Sequence, residues 1–186
     1  GGVWIEPIAQ KTMQKCTVDF LASLKELCKK YSTKLIFNET ASSIYRFNNT
    51  EFFASSIKEI SPDAGMCFLG GQGGICFQLE ENFIEKPLML ISTWDGDELA
   101  FSSFNYAHSL IKENLEEFNK CKIDFTNKLT EILEDFDIEE LELENANGYF
   151  IGNISKKLQK YFKNSRERYL VCPSYGQMRR FLSEYK

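Results

Sequence analysis

Residues 3–8, Val-Trp-Ile-Glu-Pro-Ile, and residues 34–37, Lys-Leu-Ile-Phe, are short β-prone apolar runs, and residues 19–31 between them repeat apolar side chains at helical spacing. Phe20, Leu21, Leu24, Leu27 and Cys28 fall on one side of that helix and Lys25, Lys29 and Lys30 on the other, with a cap near Thr17 or Asp19. Strand, helix and strand in such short order make a βαβ unit, and the crossover it needs implies parallel strands with a helix packed on them. The first strand, ended by Pro7, reads as buried on both faces, as strands of parallel sheets are. The chain is therefore expected to be α/β.

Further along, residues 66–69 read as a third strand, the run Gly70-Gly71-Gln72-Gly73-Gly74 as a turn, and residues 75–79 as a fourth strand. Residues 88–91 form another apolar strand, followed by a long helix over residues 98–118. The character then changes. A helix over residues 124–136 leads into an acidic stretch at 135–144, a strand-like Tyr149-Phe150-Ile151, a basic helix over 155–163 and a strand over 169–172 closed by Pro173. These features place a boundary near residue 118, between a mostly parallel α/β lobe over 1–118 and a smaller α+β lobe over 119–186.

Several function classes are disfavoured by composition. The chain has 186 residues, 43% of them hydrophobic, enough for a real core, and no apolar run long enough to span a bilayer as a helix. A net charge of -5 argues against an extended nucleic-acid surface, which needs clustered cations. The one basic cluster, Arg166, Arg168, Arg179 and Arg180, reads as a solvated face. Six cysteines without a CxxC pair, mostly in apolar surroundings, read as buried thiols in a reducing, cytoplasmic setting and not as a zinc site. The Asn-x-Ser/Thr triplets at Asn38, Asn48 and Asn153 are short enough to arise by chance. The first residues carry no signal-peptide pattern; they read as a strand entered without a start methionine, as in an excerpt from a longer protein.

Open α/β sheets place their ligands at the carboxyl ends of the strands. Three such ends here carry polar groups: Glu6; Asn38 with Glu39; and Thr93 with Asp95 and Asp97. Each alone is an ordinary loop start, but their order and spacing are informative. Val3-Trp4-Ile5-Glu6-Pro7, the Phe20-Leu21 to Tyr31 helix and Leu35-Ile36-Phe37-Asn38-Glu39 resemble the large-domain core of the class III pyridoxal-phosphate aminotransferases. The branch most similar is that of the glutamate-1-semialdehyde aminomutases. Arg46, Pro62-Asp63, Gly73-Gly74 and Ser92-Thr93-x-x-Gly96-Asp97 extend the resemblance, which covers residues 3–115 well and the remainder loosely. It implies the C-terminal part of a fold-type I large domain followed by a small lobe, the cofactor pyridoxal 5'-phosphate, and a dimer, either with itself or with another aminotransferase-fold subunit.

Two departures bear on activity. The family's aspartate, which pairs with the protonated ring nitrogen of the cofactor, is replaced by Asn38; an amide can hydrogen-bond there but cannot balance a pyridinium charge. The family's Schiff-base lysine, seven residues after the proline of Pro-Asp, falls on Leu69, its preceding glycine falls on Phe68, and no lysine occurs between Lys58 and Lys86. Without that amine neither the covalent link to the cofactor nor the base for the proton shift is supplied. Thr93 matches the threonine that reaches the cofactor phosphate of the neighbouring subunit. The family's other phosphate loop and its ring-stacking aromatic precede the Glu-Pro pair and have no counterpart in this chain, so it is not expected to bind the cofactor alone. The single histidine, His108, reads as a packed or surface helix residue.

Three readings follow. The chain is a degenerate aminotransferase domain kept for a structural, dimer or partner role, with no catalytic residue of its own; or it is an active pyridoxal-phosphate aminotransferase or aminomutase acting on an amino-sugar or semialdehyde; or it is a non-enzymatic α/β domain whose resemblance is only fold deep.

Overall fold

A computed structural model describes residues 1–70, 73–78 and 98–186. Strand β1 (Gly2–Ile5), helix α1 (Val18–Lys30) and strand β2 (Lys34–Asn38) form the expected βαβ unit, with β1 and β2 parallel and Trp4 opposite Ile36. Strand β3 (Ala64–Gly70) adds in parallel to β2, and β4 (Gly73–Gln78) returns antiparallel, giving the order β1-β2-β3-β4. The fold is thus the α/β class with a parallel-rich sheet. The expected strand at 88–91 and the Thr93 segment lie outside the described residues.

Helix α1 starts where Thr17 accepts a hydrogen bond from the N–H of Phe20 at 3.2 Å, which settles the cap between the two candidates. Asp19 in its first turn and Lys29 and Lys30 in its last oppose the helix dipole favourably. Its buried stripe is narrower than the periodicity predicts. Leu21 and Cys28 are buried against Leu35 and Phe37 of β2, whereas Phe20 and Leu27 are each 51% exposed. The latter two share a face turned away from the sheet. Strand β1 likewise buries one face and not two: Val3 and Ile5 pack on the core while Trp4 is 54% exposed. No described element lies over it.

The two helices expected over 98–118 and 124–136 are α2 (Glu98–Glu113) and α3 (Leu115–Leu133), with the break at residue 114 and not between residues 118 and 124. Asn114 breaks them: its backbone leaves helical angles, and its side chain donates to the Leu110 carbonyl at 2.8 Å. The second sheet is antiparallel, order β5-β6-β8-β7, from β5 (Ile138–Glu144), β6 (Asn147–Gly152), β7 (Lys163–Ser165) and β8 (Arg168–Val171). Acidic β5 was not expected as a strand. It is a sheet edge whose glutamates face water, so it lacks the alternation of a half-buried strand. The basic helix expected over 155–163 is one turn, α4 (Lys156–Gln159), followed by β7. Helix α5 (Tyr175–Glu184), also not expected, begins with a full capping box between Ser174 and Gln177.

Helices α3 and α5 cover one face of this sheet, with Phe125, Leu129, Phe150, Val171 and Phe181 at the centre. From its other face, Tyr149 and Leu170 enter the core of the first sheet beside Ile8, Phe37 and Phe47. At Gly148 the backbone has φ +139, and a Cβ would run into the Glu142 carbonyl, so the sheet closes there only around glycine.

Candidate functional site

The carboxyl ends of the three parallel strands are joined by a chain of hydrogen bonds. From the end of β2, Asn38 donates its Nδ2–H to Glu6 Oε1, just past β1, at 3.0 Å. Asn38 Oδ1 accepts from the Thr40 N–H at 3.2 Å and from the Thr40 hydroxyl at 2.7 Å. Thr40 Oγ1 in turn accepts from the N–H of Phe68 in β3 at 3.2 Å. Glu6 Oε2 accepts from the N–H of Gln10 at 2.9 Å. The partners fix the orientation of the amide, since a flip would turn its oxygen on a carboxylate and its NH2 on a backbone donor.

Next to it, Glu39 is fully buried and anchors the loop that follows β2. Its carboxylate accepts from Ser42 Oγ at 3.0 Å and from the N–H groups of Ala54 and Ser55 at 2.7 and 2.8 Å. Those two N–H groups open a short 3-10 turn, where an anion is favoured. Beneath lies Cys67, whose thiol donates to Ser43 Oγ at 3.4 Å and is pushed up chiefly by burial. That shift works against thiolate reactivity.

The predicted site residues are therefore placed unevenly. Asn38 sits at the carboxyl end of β2, bonded to Glu6. Leu69 lies in β3, in the irregular stretch between Phe68 and Gly70 where the pairing with β4 shifts register; its side chain lies outside the description. Thr93 is outside the described residues. His108 packs its ring edge-on to Phe52, with centroids 4.7 Å apart, in keeping with a packed helix residue.

The donor set at Asn38 does not fit a protonated ring nitrogen. It offers no negative charge, both acceptor directions of Oδ1 are taken by Thr40, and one N–H is spent on Glu6. Nor is there an amine in the sequence between Lys58 and Lys86 to link a cofactor aldehyde. A cavity of about 580 Å³ lies at the opposite ends of the strands, by the amino ends of β2 and β3 near Lys25, Lys34 and Asp63, away from this chemistry.

Two polar features escaped the sequence reading. In the second sheet Tyr149 donates its hydroxyl to Glu140, which together with burial pushes its pKa up to about 12, and the Arg168 guanidinium stacks on its ring at 4.1 Å. On α3, Lys122 is only 2% exposed. It stands at a position of the helical stripe between Phe118 and Phe125, so the period marks it as buried, but a lysine in that stripe reads as a solvated residue by type.

No protein-family model matches the chain, and no curated protein matches it in sequence. Its fold does match solved structures. The ornithine δ-aminotransferase of Plasmodium falciparum superimposes with a TM-score of 0.74 at 14% identity, over 97% of this chain and 53% of that one. The lysine aminotransferase of M. tuberculosis gives 0.77 at 16%, over 97% and 47%. The ornithine aminotransferase of Toxoplasma gondii ME49 gives 0.75 at 16%, over 99% and 51%. The chain thus spans about half the length of these structures and has the fold of that half.

Proposed function

We propose that this chain is a class III aminotransferase-like domain in which the cofactor's ring-nitrogen position has been absorbed into the protein's own hydrogen bonding, and that it serves a structural or partner-binding role in place of transamination. The observation that carries the proposal is the Asn38 amide, whose oxygen is taken by Thr40 and one of whose N–H groups is given to Glu6. Leu69 at the family's lysine position supports the same reading. Catalysis by the family's route needs both a charged partner for the ring and an amine for the covalent link; these positions supply neither.

The partner by this reading is a second copy or another aminotransferase-fold subunit in the cytoplasm. Trp4, Phe20, Leu27 and Tyr31, all more than half exposed, offer apolar surface for it. The lobe boundary proposed near residue 118 falls inside α3, four residues beyond the helix break at Asn114.

The test is spectroscopic. After incubation with pyridoxal 5'-phosphate and gel filtration, the full-length protein is expected to keep no visible absorbance band and to yield no borohydride-reduced lysine adduct by mass spectrometry. A stoichiometric adduct on any one lysine would overturn the proposal in favour of an active aminotransferase or aminomutase with relocated chemistry.

A further inference from the structure

A second site is built where the loop after β2 meets α3 and the start of α5. A cavity of about 190 Å³ opens there, with the Arg46 and Lys122 side chains on its wall. Lys122 gives two of its three N–H donors to neutral oxygens, the Tyr45 carbonyl at 2.6 Å and Asn49 Oδ1 at 2.8 Å, and its ammonium lies 5.2 Å from the centre of the Phe118 ring. Arg46 has no acceptor for its guanidinium among the described residues. Two cations therefore face one cavity, and no acidic residue lines it.

Burying charge without a counterion is costly, and burial together with the nearby Arg46 holds the Lys122 pKa down to about 8. The backbone is also under tension at this wall. Ile44 and Tyr45 both have left-handed angles, φ 61 and 56, which a β-branched residue such as isoleucine rarely adopts. Strain of this kind collects at ligand sites. The left-handed turn presents the Tyr45 carbonyl to Lys122 and puts Ile44 on the cavity wall.

The rest of the lining decides the class of anion. Ile44, Ile111, Phe118 and Met178 make most of the wall apolar, while Ser174 and the first turn of α5 add dipoles favourable to negative charge at one end. The volume equals roughly six waters at about 30 Å³ each, enough for one small ring or branched chain.

We propose that this cavity binds a small monocarboxylate with a compact apolar body, its carboxylate between Lys122 and Arg46 and its body against Ile111 and Met178.

Benzoate is the probe, with benzamide as its uncharged isostere and sulfate as a hydrated inorganic anion of no apolar body. Calorimetry on the full chain is expected to show saturable benzoate binding, no comparable benzamide binding, and sulfate too weak to displace benzoate at equal concentration. Loss of one charge-assisted contact is expected to weaken benzoate by about tenfold or more. Lys122→Met tests this at the buried amine. Arg46→Gln tests it at a half-buried side chain that makes no hydrogen bond or ion pair among the described residues, so the question stays answerable if Lys122→Met does not fold. Equal binding of benzamide and benzoate, displacement by equimolar sulfate, unchanged benzoate affinity in Arg46→Gln, or no benzoate binding at millimolar concentration would each overturn the proposal.

Discussion

Asn38 donates to Glu6 across the ends of two parallel strands, Nδ2 to Oε1 at 3.0 Å, and the bond needs a donor on one side and an acceptor on the other. Asn38→Asp removes the donor and sets two carboxylates against each other. The variant is expected to lose about 2 kcal/mol at pH 7. Near pH 4 the loss should shrink, because one carboxyl then keeps its proton and donates again. Urea denaturation of both proteins at the two pH values checks this; a loss independent of pH would mean that charge repulsion is not its source.

Glu39 is the second anchor of the same edge, with three donors on one fully buried carboxylate. Glu39→Ala leaves the Ala54 and Ser55 N–H groups buried or half-buried without an acceptor. The expected cost is about 3 kcal/mol, with amide exchange at Ala54 and Ser55 accelerated before that in β2. A variant as stable as the parent would show that water replaces the carboxylate there.

Lys122 gives the stability a pH signature. Its pKa is about 8 in the folded protein against 10.5 for the ordinary side chain. Between those values the unfolded chain binds more protons, so this residue's contribution to stability rises with pH from about 8 to about 10.5 and is flat below. Arg46 faces it, and the Tyr45 and Asn49 oxygens do not titrate. Comparing urea midpoints of the parent and Lys122→Met at pH 7 and pH 9.5 isolates the effect. The parent should gain on the variant at the higher pH, and a constant difference would contradict the lowered pKa.

The hairpin joining β7 and β8 turns on Arg166 and Glu167, at φ 49 and 71. A two-residue turn with both φ positive favours Asn-Gly, and neither residue is that. Both are exposed, so replacement loses no packing. Arg166→Asn with Glu167→Gly is expected to stabilise the chain by about 1 kcal/mol, read as a raised Tm. No change, or a loss, would show that other contacts of these side chains outweigh the strain.

The local rules explain which elements were legible. Helix α1 was visible because Thr17, the apolar spacing and the terminal lysines all agree. Strand β2 was visible because Leu35 and Phe37 are buried on the sheet's inner side. Edge strand β5 was hidden because its glutamates obey solvent and not a core. Helix α5 had readable signals, the Ser174 and Gln177 capping box and the spacing of Met178 and Phe181, directly after the strand closed by Pro173. The break at Asn114 depends on one side chain choosing a local carbonyl, which no periodicity records.

By itself the sequence determined the βαβ start, the polar residues at the strand ends, and the absence of any lysine between Lys58 and Lys86. These are matters of order and spacing along the chain, which parallel strands translate directly into neighbouring ends. Only the tertiary structure decided that Asn38 meets Glu6, because the two come from the ends of different strands and their distance depends on the sheet register; the Thr40 contact, two residues away, is local. The same holds for Lys122 and Arg46, which are far apart in sequence and meet at one cavity only after α3 packs on the loop. Side-chain partnership across a fold is a long-range property, and local spacing does not carry it.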